Sequence, residues 1–368
     1  MSNQTATPPA SLPTGDPDAA ESAGVRWTPG KLLRIPIFQI LLVLLLICAV
    51  FGAMAPDTFL AWGNIRLIIQ NVSILAILGV GMTFVIVTSG IDLSIGSVLV
   101  FSGVVAAKTM QAIGGEGWGT AIVGIIAAVL SGMAWGALNG FLVAKAKVPP
   151  LIVTLGTLGG ALGLAQVITG GVDIRDVPPV LVDTIGYGNL PATSIPLLSV
   201  IALVFIVSFS IILHRTKFGL YTYAIGSKEE SARRVGVKVD RHLIKVYALS
   251  GTLAGVAGIL SLAQYSTTAI AGQSQTNLNV IAAVVIGGTS LFGGIGTIFG
   301  TIVGLFIPAV LQNGFVIIGV QPFWQQVAVG AVLIIAVYID QRRRSAASRG
   351  RSESSKLSAL RKLWSRGP

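Results

Sequence analysis

VYALSGTLAGVAGILSLAQYSTTAIAGQSQTNLNVIAAVVIGGTSLFGGIGTIFGTIVGLFIPAVLQNGFVIIGVQPFWQQVAVGAVLIIAVYI, residues 246–339, contains no Asp, Glu, Lys or Arg. A soluble domain gives about a quarter of its residues to charge, so 94 consecutive uncharged positions exclude a water-soluble fold. The imbalance extends outward to the whole 368-residue chain, which is 53% hydrophobic and 11% charged, with a mean hydropathy of +0.82. The chain reads as an all-α polytopic membrane protein.

A helix crossing about 30 Å of hydrocarbon takes about 20 apolar residues. That ruler places about ten spans, at 35–55, 65–87, 93–107, 119–143, 150–169, 195–213, 244–262, 279–287, 298–318 and 323–339. The third is short and the eighth very short. Both read as broken or re-entrant pieces, which a membrane tolerates only where protein or a wet cavity covers the backbone. Residues 31–340 form the transmembrane domain. Residues 1–30, rich in Pro, Ser, Thr and Ala, lack the bulky apolar content to pack and read as a disordered tail. The first apolar run begins too late for a cleaved leader and is long enough to span.

Charge sets the orientation. With ten spans, both ends share one face with the loops 88–92, 144–149, 214–243 and 288–297. That face collects 22 of the 25 basic residues, leaving Arg66, Lys108 and Arg175 opposite. Cytoplasmic loops carry the excess of Lys and Arg, so both termini are expected in the cytoplasm. The net charge of +11 follows this pattern and extends into a basic tail at 341–368. It suits anionic membrane lipid, and nucleic acid is not an expected partner. One cysteine, Cys48, and two histidines, His214 and His242, leave little for redox or zinc chemistry.

Glycine recurs at helical spacing at Gly132, Gly136 and Gly140, at Gly156, Gly159, Gly160 and Gly163, and at Gly251, Gly255 and Gly258. Small residues at that spacing let helix backbones approach closely in lipid. Two Gly-Ser/Thr breaks, TSGIDLSIGS at 88–97 and GGTSLFGGIG at 287–296, exceed simple packing, because transporters bind substrate or bend at such breaks. The second is no phosphate loop, since no Lys-Ser/Thr closes it. Any ATP-driven step therefore belongs to another polypeptide, which would use the ATP and Mg. No catalytic residue, metal site or bound cofactor is expected in this chain.

Asp92 is the only acidic residue between Asp57 and Glu116. Three readings stand: a cap on the following helix near the inner interface, a role in the substrate path or gating, and a proton relay. Ser94, Gln264, Asn277, Asn279 and Asn313 join it as candidates for the path, and each equally fits a polar link between helices.

The one long internal loop on the basic side, 214–243, contains SKEESARR. Ser227 with Glu230 three residues later is a capping-box spacing, and Gly236 is a stop. A short surface helix over 227–235 follows, carrying Glu229, Ala232, Arg233 and Arg234. It fits a solvated connector or the grip of a transmembrane domain on a cytoplasmic motor. Ala232 is the small position expected to be buried against that partner.

TSGIDLSIGS at 88–97, GSKEESARRVGVKVDRHLIKVYALSGTLAGVAG at 226–258 and NVIAAVVIGGTSLFGGIGTIFGTIVG at 279–304 resemble the permease subunits of bacterial ribose/xylose/galactose-type ABC importers. LQNGFVIIGV at 311–320 and the helix after it look like their closing helices. The resemblance covers about 35–340. It implies a type II-like importer permease fold in the bacterial cytoplasmic membrane and a pair of permeases, either a homodimer or a heterodimer with a close paralogue. It further implies a cytoplasmic ATP-binding subunit and a secreted sugar-binding protein that delivers a monosaccharide or related polyol. In that family the segment matching Gly226–Val237 supplies the coupling helix. One departure stands out: where such permeases usually carry Glu-Leu-x-x-Ile, this chain has Asn277-Leu-Asn-Val-Ile281, an amide for an acid at a position associated with outer-side charge contacts. The rival functions are a stand-alone secondary transporter, which needs a coupling-ion site, and a non-transporting membrane scaffold.

Overall fold

A computed structural model describes residues 36–270 and 276–321, with Trp324, Gln326, Val327, Gly330, Ala331, Ile334 and Tyr338 beyond them. Both expected tails and most of the span at 323–339 lie outside the described residues. The seven described positions from Trp324 to Tyr338 are helical.

Eight helices among the described residues are long and apolar enough to cross a membrane. The long helices through the first half of the chain are α1 (Pro36–Met54), α2 (Trp62–Val87), α3 (Ile95–Ile113), α4 (Trp118–Ala144), α5 (Pro150–Thr169) and α6 (Leu197–Arg215). Then come the short α7 (Lys217–Ser227) and α8 (Glu229–Arg234), the long α9 (Val239–Tyr265), the short α10 (Thr276–Ile286) and α11 (Ile298–Ile317). α5 keeps its expected limits because both ends are local signals: Pro150 at the first position and Gly170 in the left-handed region after the last. α3 runs past its expected end at 107, and α9 begins before its expected start at 244. Lys108 is exposed inside α3, while Asp240 and Arg241 lie in the first turn of α9. Charge marks where a helix leaves lipid, not where its hydrogen bonds stop. α10 has 11 residues, about 16 Å at 1.5 Å per residue, so it is the short piece that its sequence suggested.

α2 and α9 form the centre of the bundle. Ile77, Met82, Phe84, Tyr247, Leu253 and Ala257 are fully buried. The outer helices reverse the soluble pattern and expose large apolar side chains, among them Leu45, Ile152, Val167 and Val204. α4 and α9 meet along a glycine seam. A Cβ on Gly132, Gly136 or Gly140 would overlap the backbone of Gly251, Tyr247 or Ile244, which is the close approach the spacing predicts. The stripe on α5 differs. Gly156, Gly159 and Gly163 have nothing within 4 Å of a built Cβ, and Gly160 faces only Trp135. Gly156, Gly159 and Gly163 thus pack against no described residue, and Gly160 meets only the ring of Trp135 on α4.

The loops assigned to the basic face gather at one end. Gly294 N–H donates to Val87 O at 2.9 Å, Tyr223 OH donates to Gly296 O at 2.6 Å, and Lys145 pairs with Asp240 at 3.3 Å. At the opposite end, Arg66 donates to Tyr187 O at 3.0 Å and Tyr265 OH donates to Asn71 at 3.1 Å.

Candidate functional site

At the charged end, α8 stands out from the bundle as one and a half turns of helix. Its start differs from the expected capping box. Ser227 is the last residue of α7, Lys228 in an extended conformation is the N-cap, and no side chain caps α8. The competing interactions explain this. Ser227 packs against Gly294, and Glu230 bonds Arg234 at 2.5 Å rather than reaching back. Glu229 likewise bonds Arg233 at 2.9 Å. The stop is as expected: Gly236 has a positive φ of 86°, and its N–H donates to Arg233 O at 3.0 Å.

Asp240 anchors this helix to the bundle. Its carboxylate takes Lys145 at 3.3 Å, Lys147 at 3.2 Å and Arg233. Hydrogen bonds to Asp240 and Glu229 raise the Arg233 guanidinium above its ordinary pKa. Sequence reasoning missed Asp240 as a hub because the two lysines come from a loop 93 and 95 residues away.

Ala232 points inward. It is 3% exposed and packs in a small apolar cluster with Ala144, Ile225, Val239 and Leu243. The expectation that it is buried against a partner is therefore corrected, because its methyl is already covered by this chain. The exposed side of α8 and its C-cap includes Glu230, Arg234 and the C-cap residue Val235, the last 79% exposed.

Behind α8, three backbone segments meet. Gly226, one residue before the end of α7, lies so close to the Val87 carbonyl that a Cβ would overlap it. Ser89, with φ of 65°, donates its hydroxyl to Phe292 O at 2.8 Å and is 3.2 Å from Gly226 O. Both glycine breaks thus contact the segment that leads into α8.

From Ser89 the chain turns inward. Asp92 is 1% exposed. Its Oδ1 accepts from Ser94 N–H at 2.9 Å and from Ser94 Oγ at 2.6 Å, and its Oδ2 accepts from Ser250 Oγ at 3.2 Å. Ser250 is eleven residues into α9, about 16 Å along the helix from its charged first turn. Asp92 is therefore buried inside the bundle, bonded to α9 five residues past Lys245, the last charged residue of that helix. It holds the turn before α3 and is not that helix's N-cap, which is Ser94. Among the described residues no basic side chain pairs with it.

The start of α3 collects several of the candidates. Asn139 Nδ2 donates to Ser94 Oγ at 2.9 Å, and Gly96 N–H donates to Asn277 Oδ1 at 2.6 Å. Asn277, the amide that replaces an acid, thus satisfies a free donor at a helix N-terminus inside the protein. Asn279 is also buried on α10. Gln264 is buried near the far end of α9, its Oε1 without a partner among the described residues. Asn313 is separate again. It exchanges two hydrogen bonds with Asn64, at 2.7 and 3.0 Å, which link α11 to α2.

The comparisons with known proteins agree with this architecture. Residues 64–337 match the family described as branched-chain amino acid transport system / permease component. The chain is 37% identical over 306 residues to the ribose import permease RbsC of Escherichia coli K12, covering 83% of this chain and 93% of that protein. It is 34% identical over 299 residues to the D-allose transport system permease AlsC of the same strain, covering 81% and 90%. The fructose import permease FrcC of Rhizobium meliloti is 34% identical over 313 residues, covering 84% and 86%. No solved structure matches the chain.

Proposed function

This chain belongs to the permease family described as branched-chain amino acid transport system / permease component, and from that premise we propose that it forms the path for a monosaccharide in an ATP-driven importer. The relatives named above are permeases for ribose, allose and fructose. A monosaccharide is a neutral polyol, and a path for it needs hydroxyls and amides rather than fixed charge. ATP and Mg are used by a separate cytoplasmic ATP-binding subunit, and a secreted sugar-binding protein delivers the cargo. Two permease copies, or this chain and a close paralogue, enclose the path. The open glycine face of α5 is a surface at which a second copy fits. Ten spans put both termini in the cytoplasm of a bacterial cell, with the permease in its cytoplasmic membrane.

The single observation that carries the mechanism is the junction of Gly226 with Val87 and Gly294. Through it, a push on α8 from a bound ATPase reaches both glycine breaks over rigid backbone contacts. α8 is the coupling helix in this reading, with Ser227 and Gly236 as its boundaries and Glu230, Arg234 and Val235 as its outward contacts. Asp92, Ser94, Asn277 and Asn279 are buried within one copy, so their role is to hold the breaks in one state rather than to line the path.

Reconstitution tests the reading. The permease with its ATPase and binding protein is expected to take up ribose, allose or fructose against a gradient only when ATP is supplied. Saturable uptake by the permease alone, driven by a proton or sodium gradient, would replace this reading with a secondary transporter.

A further inference from the structure

α9 opens with cations where a helix dipole favours anions. Lys238 is its N-cap, and Arg241 and Lys245 follow three and seven residues later, which brings all three to one helical face. Like charges at that spacing repel. None of the three makes an ion pair with a described residue, because Asp240, the carboxylate of that turn, is taken by Lys145, Lys147 and Arg233. The three cations line a pocket of about 450 Å³ whose lining also includes Phe218 and Tyr221 of α7 and His242. His242 is buried and fixed by Thr222 Oγ1 at 2.9 Å from its Nε2.

We propose that this pocket binds a phosphate ester, its anionic group held by Lys238, Arg241 and Lys245 and its organic part against Phe218 and Tyr221. Three cations lining one pocket beside a helix N-terminus match the charge and the acceptors of a phosphate. The pocket is much larger than a bare phosphate ion, and its aromatic wall suits an esterified group. Either the headgroup of an acidic phospholipid or a soluble phosphate supplies this chemistry. The pocket borders the end of α8, since Gly236 and Val237 also line it, and it is lined by none of the residues of the buried turn at Asp92.

The test uses the full chain in detergent and measures bound lipid by native mass spectrometry, without ATPase or sugar. Its failure therefore leaves the transport reading untouched. Phosphatidylglycerol is compared with phosphatidylcholine for the wild type, for K238Q/R241Q/K245Q, and for R349Q/R351Q/K356Q, which removes the same charge from the C-terminal tail. The pocket variant is expected to lose phosphatidylglycerol affinity roughly tenfold or more, while the tail variant keeps it and phosphatidylcholine is unaffected in both. Arg241→Gln alone is expected to lose roughly fivefold, which covers the case of a triple variant that folds poorly. Inorganic phosphate is then added as a competitor. Displacement of the lipid assigns the pocket to phosphates in general, and failure to displace it assigns the pocket to the lipid headgroup. Equal losses in the pocket and tail variants, or no preference for phosphatidylglycerol in the wild type together with no binding of phosphate, would overturn the proposal. A separate co-purification with the ATPase completes the test: a pocket variant that keeps wild-type phosphatidylglycerol affinity but loses ATPase association would also overturn the proposal, since the cations would then face carboxylates of that subunit.

Discussion

The backbone N–H of Gly294 donates to the carbonyl oxygen of Val87 at 2.9 Å, tying the loop after α10 to the last turn of α2. Gly226 of α7 presses on the same carbonyl. One acceptor thus joins three segments that are far apart in the chain. Gly294 has φ of 73° and Gly293 of 81°, a region that L-residues with side chains rarely occupy, so the loop reaches this point only as glycine.

Gly226→Ala tests that junction directly. The added methyl has to displace the Val87 carbonyl or the Gly294 N–H, so α7 must move away from α2. Overpacking of this kind destabilises by about 1–3 kcal/mol. The variant is expected to reach the membrane, melt at a lower temperature in detergent and lose sugar-stimulated ATP hydrolysis. Wild-type stimulation would show that the contact transmits nothing.

The two faces of α8 give opposite expectations. Val235→Glu changes an exposed side chain, and such surface changes usually stay within about 0.5 kcal/mol. Its thermal stability should match wild type while co-purification of the ATPase falls. Ala232→Glu buries an unpaired carboxylate among Ala144, Ile225 and Leu243, so the permease itself should be depleted from the membrane. If Val235→Glu keeps full ATPase association and uptake, α8 is not the coupling helix.

Glycine at equal spacing has unequal roles on α4 and α5. Gly136→Val drives a side chain into the Tyr247 backbone, whereas the Cβ added by Gly163→Val meets no described residue within 4 Å. The first should abolish the folded permease in size-exclusion profiles. The second should preserve the folded chain, and where α5 meets a second copy it should shift the profile towards a single copy. Similar losses of folded protein in both would contradict the packing of α4 on α9.

What was legible in the sequence is what local chemistry determines. Pro150 and Gly170 bound α5, the positive φ of Gly236 ends α8, and the uncharged stretch from Val246 marks a membrane fold. Long-range partners were not legible. Ser227 looked like a cap until Gly294, 67 residues on in the sequence, supplied the surface it packs against. Ala232 looked like a contact for a partner subunit because Ala144 and Leu243, which cover it, come from other helices. The three readings of Asp92 stayed open because nothing near it in the chain indicates which side chains surround its carboxylate. Its partner Ser250 is 158 residues away.

Its burial makes Asp92 the most informative single position. Its carboxylate accepts three hydrogen bonds, from Ser94 N–H, Ser94 Oγ and Ser250 Oγ. An Asn side chain keeps the shape: its Oδ1 can accept both bonds from Ser94, and its amide can donate to the Ser250 hydroxyl, which rotates to accept. Asp92→Ala removes every acceptor and leaves the Ser94 N–H and the two hydroxyls buried without it, at about 1–3 kcal/mol for each unsatisfied group. If Asp92 serves as a hydrogen-bonding anchor, Asp92→Asn should melt close to wild type and retain most ATP-driven uptake. Asp92→Ala should melt well below both, and Ser250→Ala in between. Thermal unfolding in detergent and uptake in proteoliposomes read the two quantities separately. An Asn variant as unstable as the Ala variant would mean that the charge, rather than the bonds, holds the turn. An Asn variant that is stable but inactive would instead give the carboxylate a role in the transport step, since its anchoring would then be intact.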